Sequence, residues 1–201
     1  MIDFYLHEYT LSNRQWSYGA PHILRSPVFS QEQKDLAYKM WKTDERKICK
    51  HFISEFSKIY TDKEDKILLF APATRKGKKI FITKVVEAIK KEYQNIIDLT
   101  DLFFKKEDVC FGDAKYNDFT IEQLSEFIDV NKETLSLIDL SVSNIFILDD
   151  VYATGKSIDL TKYLIEQVLQ KDFTINTGVI VKTNGQRITS GFTQAEVYSL
   201  R

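Results

Sequence analysis

The chain reads as an α/β fold built on a doubly wound, mainly parallel sheet. Three observations predict it. Ile67-Leu68-Leu69-Phe70-Ala71 and Gly178 to Val181 are unbroken apolar runs, as expected for strands buried on both faces. Stretches with apolar residues at helical spacing alternate with such runs. A third run, Asn144 to Leu148, leads into two acids, a glycine-containing loop and an amphipathic stretch from Ile158. Strands alternating with helices pair parallel and present ligands at their carboxyl ends.

In chain order, residues 2–9 are rich in aromatic and β-branched side chains and suit a strand, and Asn13 to Pro27 reads as loop. Ser30-Gln31-Glu32-Gln33 is a capping box that opens a helix. Leu36, Ala37, Met40 and Trp41 share one face of it, Thr43-Asp44 marks a candidate break, and Ile48, Phe52, Phe56 and Ile59 resume the spacing. Thr61 to Lys66 is a charged turn before the strand at Ile67. Ile82, Val85, Val86, Ile89 and Tyr93 line the next helix, and Asn95 to Leu99 suits a second strand. The stretch 100–117 mixes aromatics with lysines and acids and has no clear period. Thr120-Ile121-Glu122-Gln123 is a second capping box, for a helix through Leu124, Phe127 and Ile128. After the central strand, Leu160, Leu164, Ile165 and Val168 mark a helix, and Ala195 to Leu200 suits a last short strand.

At 201 residues and 43% hydrophobic content, the chain is long enough for one α/β domain with an elaborated end. A formal net charge of −1 gives no global drive toward nucleic acid or an anionic membrane. Cys49 and Cys110 are far apart, which offers neither a zinc module nor a disulfide framework. No apolar stretch has the length of a membrane span and no signal pattern opens the chain. The expectation is a soluble, cytoplasmic protein.

The chemistry is concentrated in Asn144-Ile145-Phe146-Ile147-Leu148-Asp149-Asp150-Val151-Tyr152-Ala153-Thr154-Gly155-Lys156-Ser157. A loop that opens a helix is an anion site, because unpaired backbone N–H groups and the helix dipole point at it. Two carboxylates upstream cannot hold a phosphate, so they would face hydroxyls or a metal on the same ligand. Phosphate on one side and a diol on the other indicate a phosphorylated sugar. A Walker A loop needs a glycine five residues before Gly155, and that position is Asp150.

The string resembles the phosphoribosyl-pyrophosphate (PRPP) signature of type I phosphoribosyltransferases, with an apolar strand, two acids and a loop ending Thr-Gly-x-Ser/Thr. The resemblance implies a Rossmann-like phosphoribosyltransferase core at 61–201 with an N-terminal appended, hood-like segment at 1–60. It implies that Asp149 and Asp150 meet the ribose hydroxyls, and that Ala153, Thr154, Gly155, Lys156 and Ser157 wrap the 5′-phosphate. Gly155 lets the backbone close on that phosphate without a Cβ in the way. The loop after the first core strand, Pro72 to Lys79, is strongly basic. In the family this loop receives pyrophosphate, which assigns Thr74, Arg75, Lys76 and Gly77 to that role.

The implied reaction is transfer of the 5-phosphoribosyl group from PRPP to a nitrogenous base with release of pyrophosphate. Asp149, Asp150 and Lys76 form the implied catalytic set. Mg²⁺ would be held mainly through PRPP, with no direct protein ligands. The irregular stretch 105–117 lies where family members carry a mobile lid. Lys76-Gly77 is similar to orotate-type enzymes and Ala153-Thr154-Gly155 to adenine-type ones, so the acceptor stays open. Tyr5, Arg14, Trp16 and Tyr18 are the candidates for contacting a base, with packing as their plainer role; His7, His22 and His51 are isolated and read as structural or exposed. Dimers are common in the family, so a homodimer is expected. A PRPP-binding regulator or effector without transfer activity is the alternative.

Overall fold

The long apolar strand that carries the two acids, and the runs on either side of it, organise the molecule. In the computed structural model, the described residues are 2–9, 16–25, 29–74, 80–107, 109, 111, 116, 118–138, 141–142, 144–170 and 173–183. Within them the elements are β1 (Phe4–Tyr9), α1 (Trp16–Arg25), α2 (Gln31–Ile59), β2 (Ile67–Phe70), α3 (Ile80–Glu92), β3 (Ile96–Asp98), β4 (Phe103–Lys105), α4 (Ile121–Ser125), β5 (Ile128–Val130), α5 (Lys132–Leu135), β6 (Asn144–Tyr152), α6 (Lys156–Leu169) and β7 (Thr174–Thr183).

Five strands pair in the order β1-β7-β6-β2-β3, and every pairing is parallel. The expected α/β fold with a doubly wound parallel sheet is the observed one. Alternation along the strands feeds two cores. Ile67, Leu69, Phe146 and Leu148 pack on the side of α1, α2 and α3. Leu68, Phe70, Ile145 and Ile147 pack on the other side with Leu160, Leu164 and Ile165 of α6. A small antiparallel ribbon, β4 with β5, closes this second core.

β2 leads on to β3 at one edge, while β6 leads on to β7 toward the other. The order therefore reverses between the adjacent strands β2 and β6, and the helices that follow them, α3 and α6, pack on opposite faces. Open α/β sheets bind ligands at such a switch point.

Of residues 1–60, expected as an appended segment, β1 is built into this sheet, and α1 and α2 pack against it. β1 is the edge strand on β7, with Phe4 opposite Gly178. A Cβ at Gly178 would sit 2.5 Å from the Phe4 ring and 2.6 Å from the Phe146 ring, so the glycine makes room for both. Phe52, Phe56 and Tyr60 complete this aromatic cluster around Phe146.

Several elements differ from the sequence expectation. Residues 16–25 are helical despite Pro21, because Trp16, Ala20 and Ile23 are buried on the core. α2 runs without a break through Thr43, whose hydroxyl donates to the Lys39 carbonyl one turn earlier and so stays within the helix. Its capping box forms as read, with Ser30 and Gln33 exchanging both hydrogen bonds. α4 has its capping box too, but stops at Ser125, and Ile128 begins β5 instead of continuing the helix. The strand expected at 195–200 lies outside the described residues. Among the described residues, no helix is long and apolar enough to cross a membrane.

Candidate functional site

β6 delivers both acids to the carboxyl end of the sheet from a central position between β2 and β7. The strand does not end at the acids as the sequence suggested. Val151 and Tyr152 continue it, opposite Val181 and Lys182, and only Ala153 to Gly155 form the loop. Alternation sends Asp150 to the face of Phe146 and Leu148, where α1 packs, and Asp149 to the opposite one.

Both carboxyls are buried, Asp149 at 5% and Asp150 at 1% exposure. The Asp150 N–H donates to Asp149 Oδ1 at 2.8 Å. Burial pushes the Asp149 carboxyl up to about 8, and the neighbouring Asp150 charge pushes the same way, against the opposing pull of Arg25. Arg25, at the end of α1, donates through Nη2 to Asp150 Oδ2 at 2.6 Å. The other oxygen, Asp150 Oδ1, is buried and has no hydrogen-bond partner among the described residues. A buried carboxylate oxygen with an open lone pair offers an acceptor to a polar ligand.

The phosphate-loop candidates lie beside the acids. Gly155 is the N-cap of α6, has φ 84, and offers no side chain to cap the first turn. Its left-handed backbone suits glycine, and a Cβ there would lie 2.9 Å from the Tyr152 hydroxyl. The N–H groups that open α6 therefore lack a side-chain cap from that residue, and this is the arrangement that receives anions. Ala153, Thr154 and Ser157 are exposed. The Lys156 ammonium donates to the Tyr116 carbonyl at 3.0 Å, so it is turned toward the second core.

On β2's side, Thr74 bridges to Phe104, and its carbonyl accepts from the Lys105 N–H. The Thr74 hydroxyl is buried without a hydrogen-bond partner among the described residues. Arg75, Lys76 and Gly77, assigned to pyrophosphate, lie outside those residues.

In the 105–117 stretch, Phe111 and Tyr116 are buried against each other and Phe127. The Lys105 ammonium lies 4.3 Å over the Phe111 ring and donates to the Val109 carbonyl. Residues 108, 110, 112–115 and 117 lie outside the described set.

Of the aromatics considered for a base, Trp16 and Tyr18 are buried in the core, whereas Tyr5 is exposed with Lys182 over its ring. Arg14 lies outside the described residues. The histidines expected to be isolated are partly gathered: His7 and His51 both meet the Tyr18 ring. His22 is held below its usual range by burial and by Arg25.

Arg25 is the residue that sequence reasoning missed. Trp16, Ala20 and Ile23 recur at helical spacing and could have revealed its helix, but Pro21 argues against one. Among the described residues, no cluster of three or more His, Cys, Asp or Glu side chains forms a metal cage.

No family model and no curated protein matches the chain. Among solved structures it is similar to a hypoxanthine phosphoribosyltransferase from Staphylococcus aureus, seen in two crystal forms. The tetragonal form is 18% identical over 70% of this chain and 73% of that one, with a TM-score of 0.39. The orthorhombic form is 18% identical over 72% and 76%, also with a TM-score of 0.39. Likeness of this degree carries no argument about chemistry, and what stands is the fold class: an α/β protein with a five-stranded parallel sheet and helices on both faces.

Proposed function

We propose that the chain is a phosphoribosyltransferase that uses PRPP to place a 5-phosphoribosyl group on a nitrogenous base. One observation carries the reading: at the sheet's switch point, a buried acid pair with an open acceptor oxygen stands beside the uncapped start of α6. One ligand that presents hydroxyls to the acids and a phosphate to the helix would use both features.

In this reading Asp149 and Asp150 meet the ribose hydroxyls, and the Asp150 carboxylate, paired with Arg25, stabilises positive charge that develops on the sugar as the bond to pyrophosphate lengthens. The Ala153–Ser157 backbone, with the Thr154 and Ser157 hydroxyls, anchors the 5′-phosphate and fixes the anomeric carbon for attack by the base nitrogen. Arg75, Lys76 and Gly77, with Thr74, take the pyrophosphate. The acid pair also suits the hydroxyl side of a magnesium-bound sugar, and Mg²⁺ held by PRPP would neutralise the leaving group. Thr74's buried hydroxyl supports a polar ligand at the first loop.

A second reading is PRPP binding without transfer, as in a regulator. Within the first reading, Ala153 speaks against a 6-oxopurine acceptor, because it brings no acid there to handle a base proton.

Calorimetric titration of PRPP with Mg²⁺ separates the readings, with a pyrophosphate-release screen over common bases. The expected outcome is binding by the wild type, at least tenfold weaker binding by Asp150→Asn as about 1.5–3 kcal/mol of charged hydrogen bonding is lost, and release with one base. Binding without release from any base would favour the regulator. No binding by the wild type would sink both.

A further inference from the structure

The ion pair between α1 and β6 bridges segments 125 residues apart and ends inside the site. Its two partners differ in kind: Asp150 is 1% exposed, whereas 46% of the Arg25 side chain faces solvent. The helix that carries the arginine is firmly seated, with Trp16, Ala20 and Ile23 buried. Arg25 donates to Oδ2 of the carboxylate, and Oδ1 has no hydrogen-bond partner among the described residues. Two arrangements are conceivable when a sugar arrives. A diol that displaced the guanidinium would leave a buried carboxylate without its counter-charge, since hydroxyls are neutral, and such breaking of a buried pair is strongly unfavourable. A diol that adds alongside meets the vacant oxygen and keeps the pair.

We propose that Arg25 is a positioning residue of the sugar site: it fixes the Asp150 carboxylate through Oδ2 and presents Oδ1 to a ribose hydroxyl. This rests on the phosphoribosyl reading above. Residues 1–60 thus supply part of sugar recognition, although the recognition string lies wholly within 149–157. Arg25 touches the acid and not the ligand. Its loss should therefore appear in discrimination between sugars while phosphate anchoring survives.

The test compares the affinities of ribose 5-phosphate and 2-deoxyribose 5-phosphate for wild type, Arg25→Met and Arg25→Lys. Inorganic phosphate serves as a probe of the α6 site alone. The wild type is expected to prefer ribose 5-phosphate about tenfold, the scale of a charged hydrogen bond. In Arg25→Met the preference should collapse toward unity with phosphate affinity unchanged, and Arg25→Lys should recover part of it. Should the methionine variant fail to fold, Arg25→Gln carries the same comparison.

Two results overturn the proposal. An undiminished preference in a folded, uncharged variant would make the pair structural. Tighter ribose 5-phosphate binding than in the wild type would make Arg25 a plug. A wild type that binds phosphate but shows no preference between the sugars, or that binds none of the three, would overturn the phosphoribosyl reading itself, and the proposal with it.

Discussion

Asp149 holds a proton more tightly in the folded chain than in the unfolded one, because its carboxyl is buried beside Asp150. With a folded value of about 8 against an ordinary 3.8, the native state carries the extra proton between those limits. On this residue's account stability is full below about pH 4 and falls as pH rises toward 8. Asp149→Asn should flatten that slope, so that its denaturant midpoint overtakes the wild type's at the alkaline end of the window. Gly155→Ala should act differently. It forces a Cβ into the left-handed region and to 2.9 Å from the Tyr152 hydroxyl. A loss of about 1–2 kcal/mol in thermal unfolding is expected, together with weaker Mg²⁺–PRPP binding on the proposed reading. At this scale the sequence was legible where the chemistry is contiguous. Asp149 to Ser157 lie along one strand, loop and helix start, so local pattern was enough. Arg25 was not legible, because its role depends on a partner 125 residues away.

The strands and helices that could be read in advance are those whose own residues impose the period. β2, α3, β6 and α6 are buried on faces that their apolar spacing already marks, and both capping boxes hold their hydrogen bonds. β4, β5 and α1, which escaped, are held by tertiary contact. β4 and β5 are three residues each, too short to show alternation, and exist because they pair across the second core. α1 keeps Pro21 because burial of its apolar face outweighs the missing hydrogen bond. β7 began earlier than its apolar run, since ladder bonds to β6 extend it to Thr174. Its Gly178 gives the element-scale prediction. An alanine there meets two aromatic rings at about van der Waals overlap, one of them Phe146, fully buried in the core, and the other Phe4, packed against it. Gly178→Ala should cost about 1–3 kcal/mol by overpacking, measured as a lower denaturant midpoint with an unchanged slope.

Taken as a whole, the molecule does not divide at residue 60 in its packing. Phe52, Phe56 and Tyr60 share one aromatic cluster with Phe146, and β1 covers the edge of β7. Residues 61–201 expressed alone should therefore lack a cooperative unfolding transition and self-associate through the bared edge of β7. Thermal unfolding and size-exclusion chromatography of that fragment check this. A sharp transition from a monomeric fragment would contradict it. The resemblance implied a boundary at residue 60, but a local motif does not record which strand pairs with which.

The pairing of β1 with β7 also sets an order of events during synthesis. The Asp3 carboxylate accepts from the Thr177 N–H across 174 residues, so β1 must wait for β7. Closing so large a loop is slow, and until it closes β1 has no neighbour in the sheet. α1 follows β1 directly and rests on β1, β7 and α2. A nascent chain stalled before β7 would already contain the whole Asp149–Ser157 string and yet lack the support that seats Arg25 upon it. Maturation of the proposed sugar site is thereby tied to the synthesis of β7.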